Sequence, residues 1–321
     1  MSAPDSREMV FGPVFSRRLG NSLGIKNVQA KCCTYSCRYC QAGATRHMTL
    51  VRQSSYSLAP LLAQVAKKLE QTISDKVKVD YLSVVPDGEP TLDEGLGELV
   101  EALQEFNLPV AVISNASLLY LSSVQKALQK AQWLSLKIDS VTEDVWRRLD
   151  RPHGHLELEK VKNGLLDFSR NFKGKLVTET MVVKGFNDNE GEMTKIGEFI
   201  ANVKPATAYV SIPTRPPIDS TVNAPEERKL FACCGVLKTS MAATPIELLN
   251  ARDGANFPNL GGDVIANILA ITSVHPLREE VLRSLLRKAN IDFSSIADMV
   301  DKGSLARRLY GNEVYYVNFE K

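Results

Sequence analysis

The chain has 321 residues, of which 44% are hydrophobic and 24% are charged, as in a globular protein with a sizeable core. Its 39 basic and 37 acidic residues give a net charge of +2, which excludes a global field that would attract nucleic acid. The sequence contains no apolar run near the ~20 residues of a membrane span and begins without a signal-peptide layout. We therefore expect a cytoplasmic protein without membrane contact, where thiols stay reduced and clustered cysteines bind metal.

Strand-like and helix-like segments alternate from about residue 20 to residue 240. Runs rich in β-branched residues predict the strands, and apolar residues at helical spacing predict the helices. We expect strands at 22–30, 79–85, 109–115, 133–139, 175–183 and 206–212, and helices at 58–73, 93–106, 122–131, 142–149, 156–172, 189–203 and 225–240. These six units predict an α/β fold with a parallel sheet, either a partial barrel or a doubly wound sheet.

Residues 241–262 carry Pro, Asn and Gly signals and are predicted to link residues 1–240 to a small C-terminal domain. That domain, residues 263–321, shows three helical patterns and a hairpin that turns at Gly311-Asn312. This order predicts a winged helix-turn-helix-like α+β domain. From Val264 to Lys321 it has eight Lys/Arg and seven Asp/Glu residues, a net charge of +1 that is small for phosphate-driven binding.

Four of the six cysteines lie in KCCTYSCRYCQ, residues 31–41. Cys33, Cys37 and Cys40 have C-x3-C-x2-C spacing, and three thiolates on one loop can hold three irons of a [4Fe-4S] cube. One alternative is a structural zinc site with Cys32 or His47 as the fourth ligand, although closed zinc sites usually pair two C-x2-C-like knuckles. A second alternative is a set of buried, inert thiols.

The segment CTYSCRYC, with Tyr39 before its last cysteine, resembles the cluster loop of radical S-adenosylmethionine (SAM) enzymes. In that superfamily the open iron of the cluster chelates SAM, and the reduced cluster cleaves SAM to methionine and a 5′-deoxyadenosyl radical. The segment VVPDGEPTL after the second strand resembles the motif that binds the SAM ammonium, with Asp87 where the family usually has a small residue. The resemblance implies SAM contacts from Tyr39 and from Asp87, Gly88, Glu89 and Pro90.

The next two strands end in ISNAS and LKIDS, residues 113–117 and 136–140. The corresponding strand ends of the superfamily reach the ribose and carboxylate of SAM. The resemblance therefore implies SAM contacts from Ser114, Asn115, Lys137 and Asp139. Lys137 and Asp139 could equally form an ion pair at the strand end.

Four further segments, FGPVFSRRLGNSLGI, RPH, VVKGFND and PTRPP, narrow the resemblance. They are similar to those of the radical SAM group that includes tRNA wybutosine base-forming enzymes and unassigned bacterial and archaeal iron–sulfur oxidoreductases. Wybutosine-type enzymes carry a second cluster on upstream cysteines, but no cysteine precedes Cys32 here, so wybutosine formation is not expected. The remaining Cys233 and Cys234 are adjacent on a predicted helix, where they point about 100° apart and are expected to pack in the core.

Several basic side chains could form a cationic rim at the barrel mouth that suits a phosphate or carboxylate substrate: Arg17, Arg18, Arg151, His153, His155 and Arg215. The alternative for these residues is surface solvation and ion pairing. The strand–helix pattern thus predicts a partial (βα)6 barrel, and the resemblance implies a radical SAM barrel with one [4Fe-4S] cluster, SAM, and an electron donor such as flavodoxin or ferredoxin. An RNA or protein substrate is favoured, a small metabolite is the alternative, and a redox-sensing DNA-binding regulator is a third hypothesis that needs no SAM site.

Overall fold

The computed structural model describes residues 8–241, 243–249 and 263–318. Its main sheet has eight strands in the order β1-β2-β5-β6-β7-β8-β9-β10. These strands are Val10–Ser16 (β1), Gly20–Ile25 (β2), Tyr81–Val84 (β5), Val110–Ser114 (β6), Trp133–Lys137 (β7), Lys175–Met181 (β8), Thr207–Ser211 (β9) and Ile246–Leu249 (β10). β1 runs antiparallel to β2, and all other neighbours in this sheet are parallel. Cys32–Cys33 (β3) and His47–Met48 (β4) form a separate parallel pair.

Helices follow each of the six predicted strands, so the predicted α/β fold with a parallel sheet is confirmed. The barrel helices are Leu58–Ser74 (α1), Leu96–Gln104 (α2), Ser122–Leu128 (α3), Glu143–Leu149 (α4), Leu158–Asn171 (α5), Glu190–Val203 (α6) and Glu227–Met241 (α7). A short 3₁₀ helix, Pro90–Leu92, precedes α2. None of the described helices is long and apolar enough to cross a membrane.

Alternate residues of the parallel strands face two environments, as the two-residue period of a strand requires. Leu82, Val112 and Leu134 belong to the large apolar core that also contains residues of the helices. The opposite face carries a smaller apolar cluster that includes Trp133 and Val177. Further along that face, polar side chains replace apolar ones, and those that line a cavity include Ser83, Lys137, Glu179 and Ser211.

Two strands of the sheet were not among those predicted. β1 contains Gly12-Pro13, a combination that argues against a central strand, and it lies at the edge of the sheet where proline is tolerated. β10 lies in the segment predicted as a linker, 241–262, and extends the sheet beyond β9. The predicted linker is therefore wrong for residues 246–249, while residues 250–262 lie outside the described part of the chain. The first predicted strand, 22–30, ends early, at Ile25.

The C-terminal domain contains three helices and a three-stranded antiparallel sheet. Its elements are Val264–Thr272 (α8), Leu277–Arg278 (β11), Glu279–Lys288 (α9), Ser294–Asp301 (α10), Ala306–Tyr310 (β12) and Glu313–Val317 (β13), with strand order β11-β13-β12. The two residues between Tyr310 and Glu313 form the hairpin turn, with Gly311 at φ +58°. The three helices and the hairpin were predicted, whereas β11 was not, and the assignment of the domain as a winged helix stays a prediction.

The C-terminal domain packs directly on the barrel. Its apolar core includes Phe11 of β1, with Val14 and Val85 packed against it. Lys26 donates a hydrogen bond from Nζ to Ser273 Oγ, 2.8 Å away, and Tyr315 donates one to the Thr214 carbonyl at 2.8 Å. The domain thus contacts both the first hairpin of the barrel and the loop that follows β9.

Candidate cofactor site

The cysteine loop lies between β2 and α1, at the carboxyl ends of the parallel strands. Ser36 N donates to the Arg151 carbonyl at 3.1 Å, and Cys40 N donates to the Cys37 carbonyl at 3.0 Å, which fixes the path of the loop. The side chains of Cys33, Cys37 and Cys40 are partly exposed. Burial raises the pKa of all three thiols, and nearby negative charges raise that of Cys33 and Cys37 further. Bonding to a cationic cluster would offset this cost of forming thiolates.

Cys32 occupies a different environment from its neighbour Cys33. It is 7% exposed and belongs to the large barrel core, whereas Cys33 packs beside a second apolar cluster on the other side of the strand. His47, the other residue considered as a fourth zinc ligand, pairs with Cys32 along the backbone and is exposed. Among the described residues, no three Cys, His, Asp or Glu side chains converge on a single metal ion. The cysteines of a [4Fe-4S] cube bind different irons and need not converge in this way.

The DGEP segment, residues 87–90, packs tightly against the cysteine loop. A Cβ on Gly88 would lie 2.1 Å from the Cys32 carbonyl oxygen, so only glycine fits there. Glu89 N donates to that same carbonyl at 3.0 Å, and Pro90 begins the buried 3₁₀ helix. The predicted Gly88, Glu89 and Pro90 thus lie beside the cysteines, with the backbone setting their positions.

The Glu89 carboxylate is buried and bonded on both oxygens. Oε1 accepts from Thr91 N at 3.0 Å, Thr91 Oγ1 at 2.6 Å and Ser114 Oγ at 2.7 Å, while Oε2 accepts from Asn115 N at 2.8 Å. Burial raises the pKa of Glu89, and these hydrogen bonds limit the increase. Glu89 therefore joins the ends of β5 and β6.

Asn115 connects the end of β6 to the cysteine loop. Its Nδ2 atom lies 3.8 Å from Cys33 Sγ and donates to Thr34 Oγ1 at 2.8 Å. Ala116 follows with φ +65°, and Lys31 and Arg151 beside the loop also have positive φ values of 60° and 49°. A positive φ at a residue other than glycine costs of order 1 kcal/mol and persists where surrounding contacts enforce that conformation. Sequence-predicted Ser114 and Asn115 are thus brought to the cysteines.

Asp87 forms a buried ion pair that sequence reasoning did not find. Its Oδ2 lies 3.4 Å from Lys31 Nζ, with both side chains at most 3% exposed. Neither Asp87 carboxylate oxygen has a hydrogen-bond partner among the described residues. Lys31 Nζ also donates to the carbonyl oxygens of Ala42 and, at 3.2 Å, Ser273. Lys31 thereby joins the cysteine loop, the DGEP segment and the C-terminal domain.

The end of β7 carries Lys137 and Asp139, which form the ion pair that the sequence left as an alternative. Their Nζ and Oδ1 atoms lie 3.5 Å apart, and Lys137 Nζ is also 3.5 Å from Glu179 Oε1. The Tyr39 hydroxyl donates to Asp139 Oδ2, and Lys137 Nζ lies 5.0 Å from the centre of the Tyr39 ring. Tyr39, Lys137 and Asp139 are therefore in one group. Asp150, which was not predicted, joins it at 3.2 Å from the Tyr39 hydroxyl.

A line of alternating charges continues from this group into the barrel. Glu179 accepts from Arg18 on the turn between β1 and β2, and Ser211 Oγ donates to Glu179 Oε1 at 3.0 Å. Burial opposes ionisation of Glu179, but Arg18 and Lys137 outweigh it and lower its pKa to about 2. Burial likewise lowers the pKa of Lys137, and Asp139 and Glu179 reverse this to a net increase. The signal for Glu179 in the sequence was a lone carboxylate inside a predicted buried strand.

These groups border a cavity of about 410 Å³, within the range of small-ligand sites. It is lined by Tyr39 and Cys40 of the cysteine loop, by the interior strand residues, and by Val274 and His275 of the C-terminal domain. The predicted cationic rim divides in two. Arg17, Arg18 and Arg215 line the cavity, whereas Arg151, His153 and His155 lie outside its lining, on the far side of the loop.

Comparison with known proteins gives a consistent result. A family model described as the radical SAM superfamily matches residues 29–195. The UPF0026 protein MJ1312 of Methanocaldococcus jannaschii is 38% identical over 309 residues, covering 96% of this chain and 95% of that protein. The UPF0026 protein slr1464 of Synechocystis sp. is 30% identical over 253 residues, covering 78% and 90% respectively.

Two solved structures share the fold at low sequence identity. A radical SAM methyltransferase from Sphaerobacter thermophilus has a TM-score of 0.55 and 13% identity, covering 74% of this chain and 68% of that one. A structure of TYW1 with a lysine–pyruvate adduct bound has a TM-score of 0.52 and 16% identity, covering 69% and 75%. At these identities the likeness concerns the fold alone.

Proposed function

Since this chain belongs to the radical SAM superfamily, whose enzymes use a [4Fe-4S] cluster and SAM, we propose that it holds one such cluster on Cys33, Cys37 and Cys40. When bound there, such a cluster would supply the electron that cleaves SAM to methionine and a 5′-deoxyadenosyl radical, and this radical would abstract hydrogen from a substrate. The observation that carries the proposal is the placement of three half-buried thiols on one loop, whose Tyr39 and Cys40 line a cavity of about 410 Å³.

The proposed SAM contacts come from the segments that surround the thiols: Tyr39, Asp87, Gly88, Glu89, Pro90, Ser114, Asn115, Lys137 and Asp139. Their support comes from two groups of contacts, one around Glu89 and one around Lys137. Glu89 holds Ser114 Oγ and the Asn115 amide, and Asn115 in turn reaches Cys33. Lys137 contributes a fixed positive charge that suits a carboxylate. These residues bind and orient the cofactor, whose own chemistry breaks the bond.

The substrate is proposed to be an RNA or a protein, with the C-terminal domain helping to position it. A small metabolite is the second candidate, and one observation favours it. The C-terminal domain itself contributes Val274 and His275 to the cavity wall, and the Ser83 hydroxyl in that wall is buried without a hydrogen-bond partner among the described residues. A small polar substrate could occupy such a space.

The lysine that lines the cavity does not suit the role of an amine nucleophile. One structural neighbour holds a lysine–pyruvate adduct, which requires a neutral lysine amine. Lys137 is the lysine that lines the cavity among the described residues, and its carboxylate neighbours raise its pKa and keep it cationic. We therefore propose that Lys137 acts through its charge.

The proposal is tested by anaerobic reconstitution with iron and sulfide, followed by incubation with SAM and dithionite. We expect 5′-deoxyadenosine and methionine in equal amounts, since one SAM yields one of each. Fractions of RNA, protein and small molecules from a cell extract are then added separately, and mass spectrometry identifies the fraction whose mass changes. Reconstituted protein that forms no 5′-deoxyadenosine would contradict the proposal.

A further inference from the structure

The charge of the chain is unevenly distributed around the cysteine loop. Residues 9–69 contain nine Lys/Arg and no Asp/Glu, although the whole chain is nearly neutral. A stretch of this length without a carboxylate gives the loop and its flanks a local positive potential. The cavity lining and the fold use only some of these cations, which leaves others facing solvent.

Two segments border the outer side of the cysteine loop. On one side Met48 pairs with Cys33 in the β3–β4 ladder, and Thr49 N donates to the Cys33 carbonyl at 3.2 Å. On the other side His153 N donates to the Thr34 carbonyl at 2.9 Å, and Ser36 N donates to Arg151. Each segment is thus one strand spacing, ~5 Å, from the chain that carries the cysteines.

The exposed side chains of these borders are basic or apolar. Arg46 and His47 on one side and Arg151 and His155 on the other are exposed, and Met48 and Val51 are 38% and 71% exposed. Neither Arg46 nor Arg151 has a carboxylate partner among the described residues. By contrast, several surface cations of the barrel helices pair within their own helix, as Arg147 does with Glu143 at 2.8 Å. The six exposed residues that border the cysteine loop are called the loop face: Arg46, His47, Met48, Val51, Arg151 and His155.

We propose that the loop face is the docking surface for a small acidic protein that donates one electron, a partner with the chemistry of a flavodoxin or an acidic ferredoxin. This inference rests on the proposed function. The donor is oxidised by one electron and the cluster is reduced by one, and no bond is made or broken in that step. Exposed arginines around an apolar centre are common in interfaces, and opposite charges accelerate encounter. Cys40 borders the cavity on the inner side of the cysteine loop, and the loop face lies on its outer side.

The test compares charge reversals of matched size. The variant Arg46→Glu/Arg151→Glu reverses two cations of the loop face, and Lys195→Glu/Lys238→Glu, on the exposed sides of α6 and α7, is the control. Binding of an acidic flavodoxin to the cluster-free chain is measured by calorimetry across a salt series. We expect the double variant to bind at least about tenfold more weakly and to lose the salt dependence, while the control matches the wild type.

The second readout is the rate of cluster reduction by flavodoxin hydroquinone in stopped flow. We expect the double variant to be reduced about tenfold more slowly by flavodoxin, but within about twofold of the wild-type rate by dithionite, an anion, and by reduced methyl viologen, a cation. Failure of 5′-deoxyadenosine formation with dithionite would count against the proposed function, whereas unchanged flavodoxin binding and reduction would overturn the docking surface alone. The docking surface would also be overturned if total RNA bound the wild-type chain but not the double variant, while flavodoxin reduced both chains at the same rate.

Discussion

At the scale of single residues, the six cysteines fall into two groups by environment. Cys33, Cys37 and Cys40 are partly exposed on the cysteine loop, while Cys32 and Cys233 are buried in the barrel core and Cys234 packs against it. We expect alanine at any of the first three to abolish the cluster, and alanine at any of the other three to retain it. Anaerobic iron and sulfide analysis should give about four of each per wild-type chain. About eight irons, or stably bound zinc, would contradict this.

Glu89 acts on its neighbours through hydrogen bonds. Glu89→Ala removes the acceptor for Ser114 and for the Asn115 amide, so the end of β6 loses its fixed position. We expect SAM affinity to fall at least about tenfold, equivalent to ~1.4 kcal/mol, while the three thiols still assemble the cluster. Equilibrium dialysis of SAM on the reconstituted protein measures this, with exposed Glu198→Ala as the control. An unchanged affinity would remove Glu89 from the SAM site.

The buried pair of Lys31 and Asp87 is predicted to be strongly coupled. Lys31→Met or Asp87→Asn each leaves one buried charge without its partner, and we expect each to lower the free energy of unfolding by about 3 kcal/mol. The double variant should lose less than the sum, since it leaves neither charge alone. This double-mutant cycle is measured by urea unfolding of the cluster-free wild type, the two single variants and the double variant. Simple additivity would show that the ion pair contributes no coupling.

At the scale of elements, β8 places Glu179 between two cations from different parts of the barrel. Its pKa of about 2 lies below the ordinary value near 4.5. A depressed carboxyl pKa stabilises the fold above the unfolded-state value, and this contribution is lost as the pH falls from about 4.5 through 2. We therefore expect Glu179→Gln to cost about 3 kcal/mol at pH 7, with the difference from wild type narrowing below pH 4.5. Urea unfolding at pH 7 and pH 3 measures this.

The control is Glu198→Gln on the exposed side of α6, which should differ from the wild type by less than about 0.5 kcal/mol at both values. A Glu179→Gln variant whose deficit stays constant between pH 7 and pH 3 would show that Glu179 is not ionised between Arg18 and Lys137.

The elements also show what the sequence could predict. The six strand–helix units followed from periodicity, because buried parallel strands and amphipathic helices have distinct patterns. β1 and β10 were missed because Gly12-Pro13 argues against a strand and because β10 lies between Pro245 and Asn250, in a segment whose composition favours a linker. The cysteine loop and the DGEP segment are each a short continuous stretch of sequence, so both could be proposed as site segments from the sequence. Lys31–Asp87 and Arg18–Glu179 join residues 56 and 161 positions apart, and no local pattern encodes such pairs.

At the scale of the whole molecule, the C-terminal domain is an integral part of the packed structure. Its core includes Phe11 of β1, and Lys68 of α1 donates to Asn267 of α8. A chain truncated near residue 262 would expose this surface and leave Lys31 and Lys68 with fewer partners. The role of the domain is therefore better tested in the full chain than by deletion.

The charges of the C-terminal domain predict weak binding to DNA. Its acidic residues engage two of its cations: Arg283 pairs with Glu279 at 2.8 Å, and Arg278 lies 3.9 Å from Glu313. Arg307 and Arg308 on β12 are exposed, but two cations neutralise too few phosphates for tight binding. We expect the full chain to bind random duplex DNA at physiological salt with a Kd of about 10 µM or weaker. Arg307→Glu/Arg308→Glu should change this little, as measured by fluorescence anisotropy across a salt series. Sub-micromolar binding that weakens steeply with salt and is lost in the double variant would favour the DNA-binding regulator, because only phosphate contacts made by this hairpin would produce that pattern.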